Sequence, residues 1–355
     1  MKIMNDDIYK QLAEYLDKLP DGFLSNDINA DIQLLKRLFT PEEAKLAVHL
    51  TLDREGVKAI AERAKLPIGE VEGQLKEMAH KGLIFSIEQR NSETLYQAAP
   101  FVIGIYEFQV NRLNKGLLRD LAYHWRAMDE QINKTSVPQT RIIPVGKNLD
   151  PHLEVLSYEQ VNEIVKSKKE FTVAPCICRR TAKMMGGGCD APEESCLVFD
   201  EWAEFYVRDG RARKITRAEV YAILERADQA NLVLQPSNSR DASFICCCCG
   251  CCCGILSGLK NHPKPAEAVA SSFIATLDDD LCTGCWVCLE RCQMDALSED
   301  GSKVALNQQR CIGCGLCTTT CPSGALTLIR KEQKQQKEMP DTMGDTWRVI
   351  SRAQN

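Results

Sequence analysis

Eight cysteines between Cys282 and Cys321 fall as C-x2-C-x2-C-x3-C twice, at 282, 285, 288 and 292 and again at 311, 314, 317 and 321. Three thiolates on one tight loop reach three corners of a cubane, and the fourth corner needs a cysteine from elsewhere in the chain. The two runs therefore exchange ligands. Cys282, Cys285, Cys288 and Cys321 serve one 4Fe-4S cluster, and Cys311, Cys314, Cys317 and Cys292 serve the other. The stretch is also an internal repeat with an offset of 29 residues, since Gly284, Ala296 and Leu297 recur as Gly313, Ala325 and Leu326. Zinc is the alternative, because paired C-x2-C elements are zinc-ribbon spacing too. Three evenly stepped cysteines followed by a fourth suit a cubane better.

On these residues the segment from about Phe273 to Arg330 resembles a bacterial-type ferredoxin domain carrying two 4Fe-4S clusters. The resemblance implies relay of single electrons without bond chemistry, because saturated thiolate ligation leaves no open position for a substrate. One departure is visible: Pro322 follows Cys321, but Gln293 follows Cys292. Trp286, between cluster ligands, reads as a packing residue.

With 355 residues the chain has room for two or three domains with sizeable cores. Its 44% hydrophobic and 26% charged content is that of a soluble globular protein, and a net charge of -5 gives no general drive toward nucleic acid or an acidic membrane. No apolar run approaches the roughly 18 residues of a membrane span, and Met1 to Lys10 lacks the apolar region of a signal peptide. These features predict a cytoplasmic protein without membrane insertion. Nineteen cysteines, an odd count, argue for reduced thiols and metal rather than disulfides, and for life at low oxygen.

The pattern predicts an α+β chain. Residues 1–29 form an N-terminal extension. From Asp31, helical spacing of Ile32, Leu35, Leu38 and Phe39 leads to Thr40-Pro41-Glu42-Glu43, a capping box with proline in the first turn. Helices follow on Val57, Ile60 and Ala61 and on Val71, Leu75 and Met78, then strands at 83–87 and 95–98 around the turn Asn91-Ser92-Glu93. Residues 30–100 thus resemble a winged helix-turn-helix domain with its second helix at 68–81. That helix would lie in a DNA groove, yet it carries Glu70, Glu72 and Glu77 against Lys76 and Lys81, and the wing has a lone Arg90. DNA binding is therefore disfavoured against protein docking or a homodimer through the N-terminal region.

Residues 101–136 read as a linking helix, an apolar stripe from Phe101 to Trp125 continuing to about Asn133, with His124 as a structural histidine. Strands are expected at 140–145, 171–174 and 232–234, and a helix capped by Thr216 and Glu219. Residues 137–262 read as a central α/β cysteine-rich iron-sulfur domain, 263–330 as the dicluster ferredoxin-like domain, and 331–355 as a flexible tail, loosely ordered, whose Trp347 to Ile350 can dock on a partner. No glycine-rich phosphate loop follows a strand, and no nucleotide or flavin site is visible.

The central domain holds the other cysteines: Cys176, Cys178, Cys189 and Cys196, then Cys246, Cys247, Cys248, Cys249, Cys251, Cys252 and Cys253 in the run CCCCGCCC. Side chains alternate along a strand, so Cys246 and Cys248, or Cys247 and Cys249, share a face, and neighbours cannot all serve one cluster. The simplest arrangement takes two thiolates from each group for one additional 4Fe-4S cluster, and eleven thiols suffice for two. A four-cysteine zinc site and a dithiol redox centre remain alternatives. Arg179 and Arg180 either offset the negative charge of a cluster or form surface ion pairs. PCICRR, CDAPEESCL and ICCCCGCCC resemble a family of 4Fe-4S binding proteins of anaerobes, over about 31–330, which implies the architecture and no substrate. The CCG elements at 248–250 and 252–254 also resemble the cysteine-rich module of heterodisulfide reductases, without its flanking C-x2-C.

The functional expectation is an iron-sulfur electron-transfer protein working between redox partners whose identity the sequence leaves open. An oxidoreductase subunit with a catalytic central cluster is the first alternative and a redox-sensing winged-helix regulator the second. No catalytic residue stands out.

Overall fold

The computed structural model describes residues 2–88, 92–128, 137–145, 155–337 and 339–354. It is a mixed α+β structure of two compact units. The first comprises Met1–Thr135, Glu204–Arg211 and Trp347–Asn355, the second Ser136–Ala203 and Ala212–Thr346.

In the first unit, α1 (Lys2–Asp17), α2 (Ile28–Leu38), α3 (Pro41–Ala47), α4 (Val57–Ala64) and α5 (Ile68–Lys81) precede a hairpin of β1 (Ile84–Ile87) and β2 (Leu95–Ala98). The polar N-terminal extension is a full helix, fixed where Tyr9 donates to the Phe39 carbonyl (2.9 Å) and Tyr15 to that of Leu50 (3.0 Å). The expected capping box opens α3, with Thr40 accepting from Glu43 N and Glu43 accepting from Thr40 N. Gly82 ends α5 in the left-handed region, φ 75°, where a side chain would collide with Phe108. Arg90 and Asn91, read as wing and turn, lie outside the described residues, as does Asn133.

The apolar stripe after Pro100 is not one helix. An irregular turn at Phe101–Ile105, with Ile103 at φ 56°, leads to one turn of helix, α6 (Tyr106–Phe108), and only then to α7 (Lys115–Met128). Asn114 restarts the helix by accepting from Leu117 N at 3.0 Å. On α7, His124 is fully buried, stacks on Phe23 at 4.6 Å, and is hydrogen-bonded through Nδ1 to Asp31 of α2 at 2.8 Å. It is structural, as its place on the stripe implies.

The second unit begins with α8 (Val161–Ser167), β3 (Phe171–Pro175), α9 (Ile177–Met184), β4 (Glu194–Phe199) and α10 (Asp200–Arg208), whose last residues belong to the first unit. Then come β5 (Arg213–Lys214), α11 (Arg217–Gln229), capped by Thr216 as expected, β6 (Val233–Pro236) and β7 (Phe244–Cys248). The sheet order is β5-β3-β4-β7-β6 and every pair is antiparallel, which corrects the α/β reading of the central region. The chain after β3 passes through α9 and turns back beside the same strand, where a parallel sheet would need a crossover. The strand expected at 140–145 is reduced to isolated bridges, Thr140 to Ser237 and Ile143 to Leu234, between Pro138 and Pro144, which lack backbone donors.

The rest of the unit is α12 (Gly254–Asn261), α13 (Pro265–Ala268), β8 (Phe273–Leu277), α14 (Val287–Arg291), β9 (Leu297–Asp300), β10 (Lys303–Leu306) and β11 (Leu326–Arg330). β8 pairs with β11 and β9 with β10. The segment expected to be a loose tail instead carries α15 (Met343–Gln354), whose Trp347 is 1% exposed. The apolar spacing of Met343, Trp347 and Ile350 on one helical face explains its burial. None of the described helices is long and apolar enough to cross a membrane.

Removing one partner of a buried hydrogen bond leaves the other unsatisfied and costs about 1–3 kcal/mol, more where that group is charged. Asp31→Leu and His124→Leu should each destabilise the first unit by about that much, and the double variant by less than the sum. Denaturant unfolding of the anaerobically purified chain measures both.

Candidate iron-sulfur and metal centres

The repeat in the sequence of the C-terminal cysteine loops is a repeat of backbone conformation. Left-handed residues recur at the same offset, Gly284 with Gly313, Trp286 with Gly315 and Asp295 with Gly324. A Cβ on Gly284 would collide with the Ser302 carbonyl, and one on Gly313 with that of Phe273, so these loops need glycine there. Backbone N–H groups point at the sulfurs: Ala275 N donates to Cys311 Sγ and Ala296 N to Cys292 Sγ, both at 3.3 Å. Such donors favour a thiolate ligand.

Cys288 is held above its ordinary range first by burial, then by Cys285, Cys321 and Cys282. Burial likewise pushes Cys314 up to about 12, with Cys311 and Cys292 adding to it. Cys292, Cys311, Cys314 and Cys317 line one cavity, walled by Leu306 and Leu316. Trp286 is not packing: it is 42% exposed, next to the exposed Val287, and its left-handed φ of 56° turns it outward.

The central cysteines separate into three environments. Cys196 on β4 stands opposite Cys246 on β7, and Cys248, two residues on, shares that face. Cys246 touches Cys196 and Cys248, Cys248 touches Cys253, Cys253 touches Cys178, and Cys178 touches Cys176, so six thiols form a continuous inner string. Contact between thiols, followed by burial, holds Cys176, Cys246 and Cys248 well above the ordinary thiol range. For Cys253, contact with Cys178 pulls down but contact with Cys248 and burial prevail. Cys176 and Cys253 are the N-cap residues of α9 and α12, where the helix dipole favours negative charge. Gln235 Nε2 donates to Cys253 Sγ at 3.6 Å.

Cys247, read as a candidate ligand, lies instead in the apolar core, 1% exposed, because strand alternation turns it away from Cys246 and Cys248. Burial pushes its thiol up to about 12. The third environment is nearer the surface, where Cys189, from the loop after α9, meets Cys249, Cys251 and Cys252. All four sulfurs lie within 4.8 Å of one another. Burial pushes Cys249 up, but the Cys252 backbone N–H and the Arg179 guanidinium outweigh it and bring the thiol down to about 7.

A family model described as a 4Fe-4S dicluster domain matches residues 281–325. Residues 281–325 form a ferredoxin-type iron-sulfur domain. No curated protein and no solved structure matches the chain. The chain therefore binds 4Fe-4S clusters, and the donor set of the ferredoxin-type domain, thiols with backbone N–H donors in glycine-lined loops, fits them.

Two arginines and one glutamine take up defined partners. Arg179 is fully buried, donates to Pro192 O (2.8 Å), Ser195 Oγ and Cys247 O (2.6 Å), and lies near Cys176, Cys248 and Cys249. Arg180 instead pairs with Glu193, the ion-pair reading of the two. Gln293, where the ferredoxin-type repeat otherwise has proline, accepts from Gly250 N at 2.8 Å. It joins the ferredoxin-type domain to the CCCCGCCC turn, and a Cβ on Gly250 would meet the Gln293 carbonyl at 2.7 Å. The departure from the motif was the available signal.

Gly313→Ala should lose about four irons while sparing the other ferredoxin-type loop, because its Cβ collides with backbone in a left-handed turn. Iron content of the anaerobically purified variant checks it.

Proposed function

We propose that this chain is an iron-sulfur electron carrier with three 4Fe-4S clusters. Cys282, Cys285, Cys288 and Cys321 hold one and Cys311, Cys314, Cys317 and Cys292 the second. The third sits in the inner string of Cys176, Cys178, Cys196, Cys246, Cys248 and Cys253. Bound there, each cluster supplies one-electron chemistry. The protein's part is to hold the thiols and to direct N–H groups and helix N-termini at them.

The observation that carries this reading is the contact between Gln293 and Gly250. It sets the residue after Cys292 against the turn that carries the inner thiols, within one continuous apolar core that includes Met294, Cys249 and Cys253. Electrons entering through the ferredoxin-type loops have a short covalent and hydrogen-bonded path inward. The exposed Cys285, Trp286 and Val287 leave the first loop open to a redox partner.

A second reading, an oxidoreductase subunit with a catalytic central cluster, is favoured by one observation: six inner thiols exceed the four that a cubane takes. The helices and hairpin of residues 30–100 resemble a winged helix that serves docking or dimerisation. In α5, Lys76 is paired with Glu72 at 2.6 Å and Lys81 with Glu43 at 2.7 Å, so its cations are spent within the protein rather than on phosphate. This argues against the regulator.

The test is anaerobic iron and sulfide content with EPR of the reduced protein. The wild type is expected to hold about twelve irons and a Cys246→Ser/Cys248→Ser variant about eight. Equal iron in both would refute the third cluster. Gln293→Leu should keep all the iron but slow electron transfer from the ferredoxin-type clusters to the central one, read by freeze-quench EPR after a substoichiometric reducing pulse.

A further inference from the structure

The outer four central cysteines differ from the inner string: their four sulfurs are all mutually close, whereas the inner thiols touch in succession along a line. Cys189 Sγ lies 3.7 Å from Cys249 Sγ and 3.8 Å from Cys252 Sγ, and Cys251 Sγ lies 3.7 Å from Cys252 Sγ. Four sulfurs bonded to one zinc ion at about 2.3 Å in tetrahedral geometry stand about 3.8 Å apart. A cubane puts each thiolate on its own iron and spreads the four sulfurs to roughly 6 Å, so four mutually close sulfurs suit a single ion better. The ferredoxin-type thiols serve as the internal comparison. All eight are described, yet among the described residues only the outer set brings three or more ligand atoms within 4.8 Å of one another.

We propose that Cys189, Cys249, Cys251 and Cys252 bind a single zinc ion, separate from the clusters. Ligation releases the thiol protons to solvent and leaves a site of net negative charge. A counter-charge is in place: Arg179 lies against Cys249, and its buried Nε has no hydrogen-bond partner among the described residues. The ion would tie the loop after α9, with its Gly186-Gly187-Gly188, to the CCCCGCCC turn some sixty residues later. That tie fixes which way the run faces: Cys249, Cys251 and Cys252 outward to zinc, Cys246, Cys248 and Cys253 inward. Zinc has no redox chemistry, so a half-exposed site at the edge of an electron carrier would neither leak electrons nor be oxidised through its metal.

The proposal rests on geometry that is independent of the third cluster, and one experiment separates the two. Full-length protein is purified anaerobically from medium with iron and zinc both in excess, and its metals are measured together with zinc-edge X-ray absorption. The expected result is one zinc per chain with four sulfur neighbours at about 2.3 Å. Cys189→Ser is expected to lose zinc or replace one sulfur neighbour by oxygen while iron stays at the wild-type level. No zinc in the wild type, a zinc with fewer than three sulfurs, or iron falling by about four in Cys189→Ser with folding intact would overturn it. A mononuclear high-spin iron signal in the oxidised wild type would overturn it equally. If Cys189→Ser fails to fold, the wild-type absorption spectrum alone decides. Loss of the third cluster from the Cys246→Ser/Cys248→Ser variant with zinc retained would leave this inference standing.

Discussion

A buried thiol can be charged only where a cation compensates for lost water, and that constraint organises this chain. Burial holds Cys288 and Cys314 above the ordinary thiol range, and mutual contact with burial does the same for Cys176, Cys246 and Cys248. Metal ions supply the compensation, lowering thiol pKa values by coordination far more than any side chain here does. Folding of the second unit is therefore expected to be coupled to metal loading, as for other sites whose ligands are assembled from distant segments.

Like Lys331 against Cys311, Arg179 is a protein cation placed for the same work. It fixes the carbonyl of Cys247 and the Ser195 hydroxyl, and by holding them sets the relation between β4, β7 and the outer turn. The antiparallel register does the rest, placing Cys196 against Cys246 and sending Cys247 into the core. The crowded run CCCCGCCC is thus sorted by strand alternation up to Cys248 and by Gly250 beyond it. Gly250 is held against the ferredoxin-type domain by Gln293.

The ferredoxin-type loops were legible in the sequence because ligand spacing in a tight turn is local. The same locality made the capping boxes of Thr40 and Thr216 and the hairpin strands readable. What could not be read depends on contacts distant in sequence. Cys189 meets its partners across sixty residues, the antiparallel order of the central sheet follows from how α9 returns the chain, and the last helix, α15, forms on an apolar face too short to stand out in a Lys- and Gln-rich tail. Trp286 was misread because an aromatic side chain between ligands suggests packing, whereas the left-handed turn shared with Gly315 directs it outward.

The central claim is that the nineteen cysteines divide by geometry into two ferredoxin-type ligand sets, an inner iron-binding string, an outer zinc-binding set and one core residue. Anomalous diffraction from anaerobic crystals, recorded on both sides of the iron and zinc edges, tests it most directly. Iron peaks are expected at the two ferredoxin-type loops and within the inner string, and a lone zinc peak among Cys189, Cys249, Cys251 and Cys252. Iron at the outer set, or no metal against Cys246 and Cys248, would contradict it.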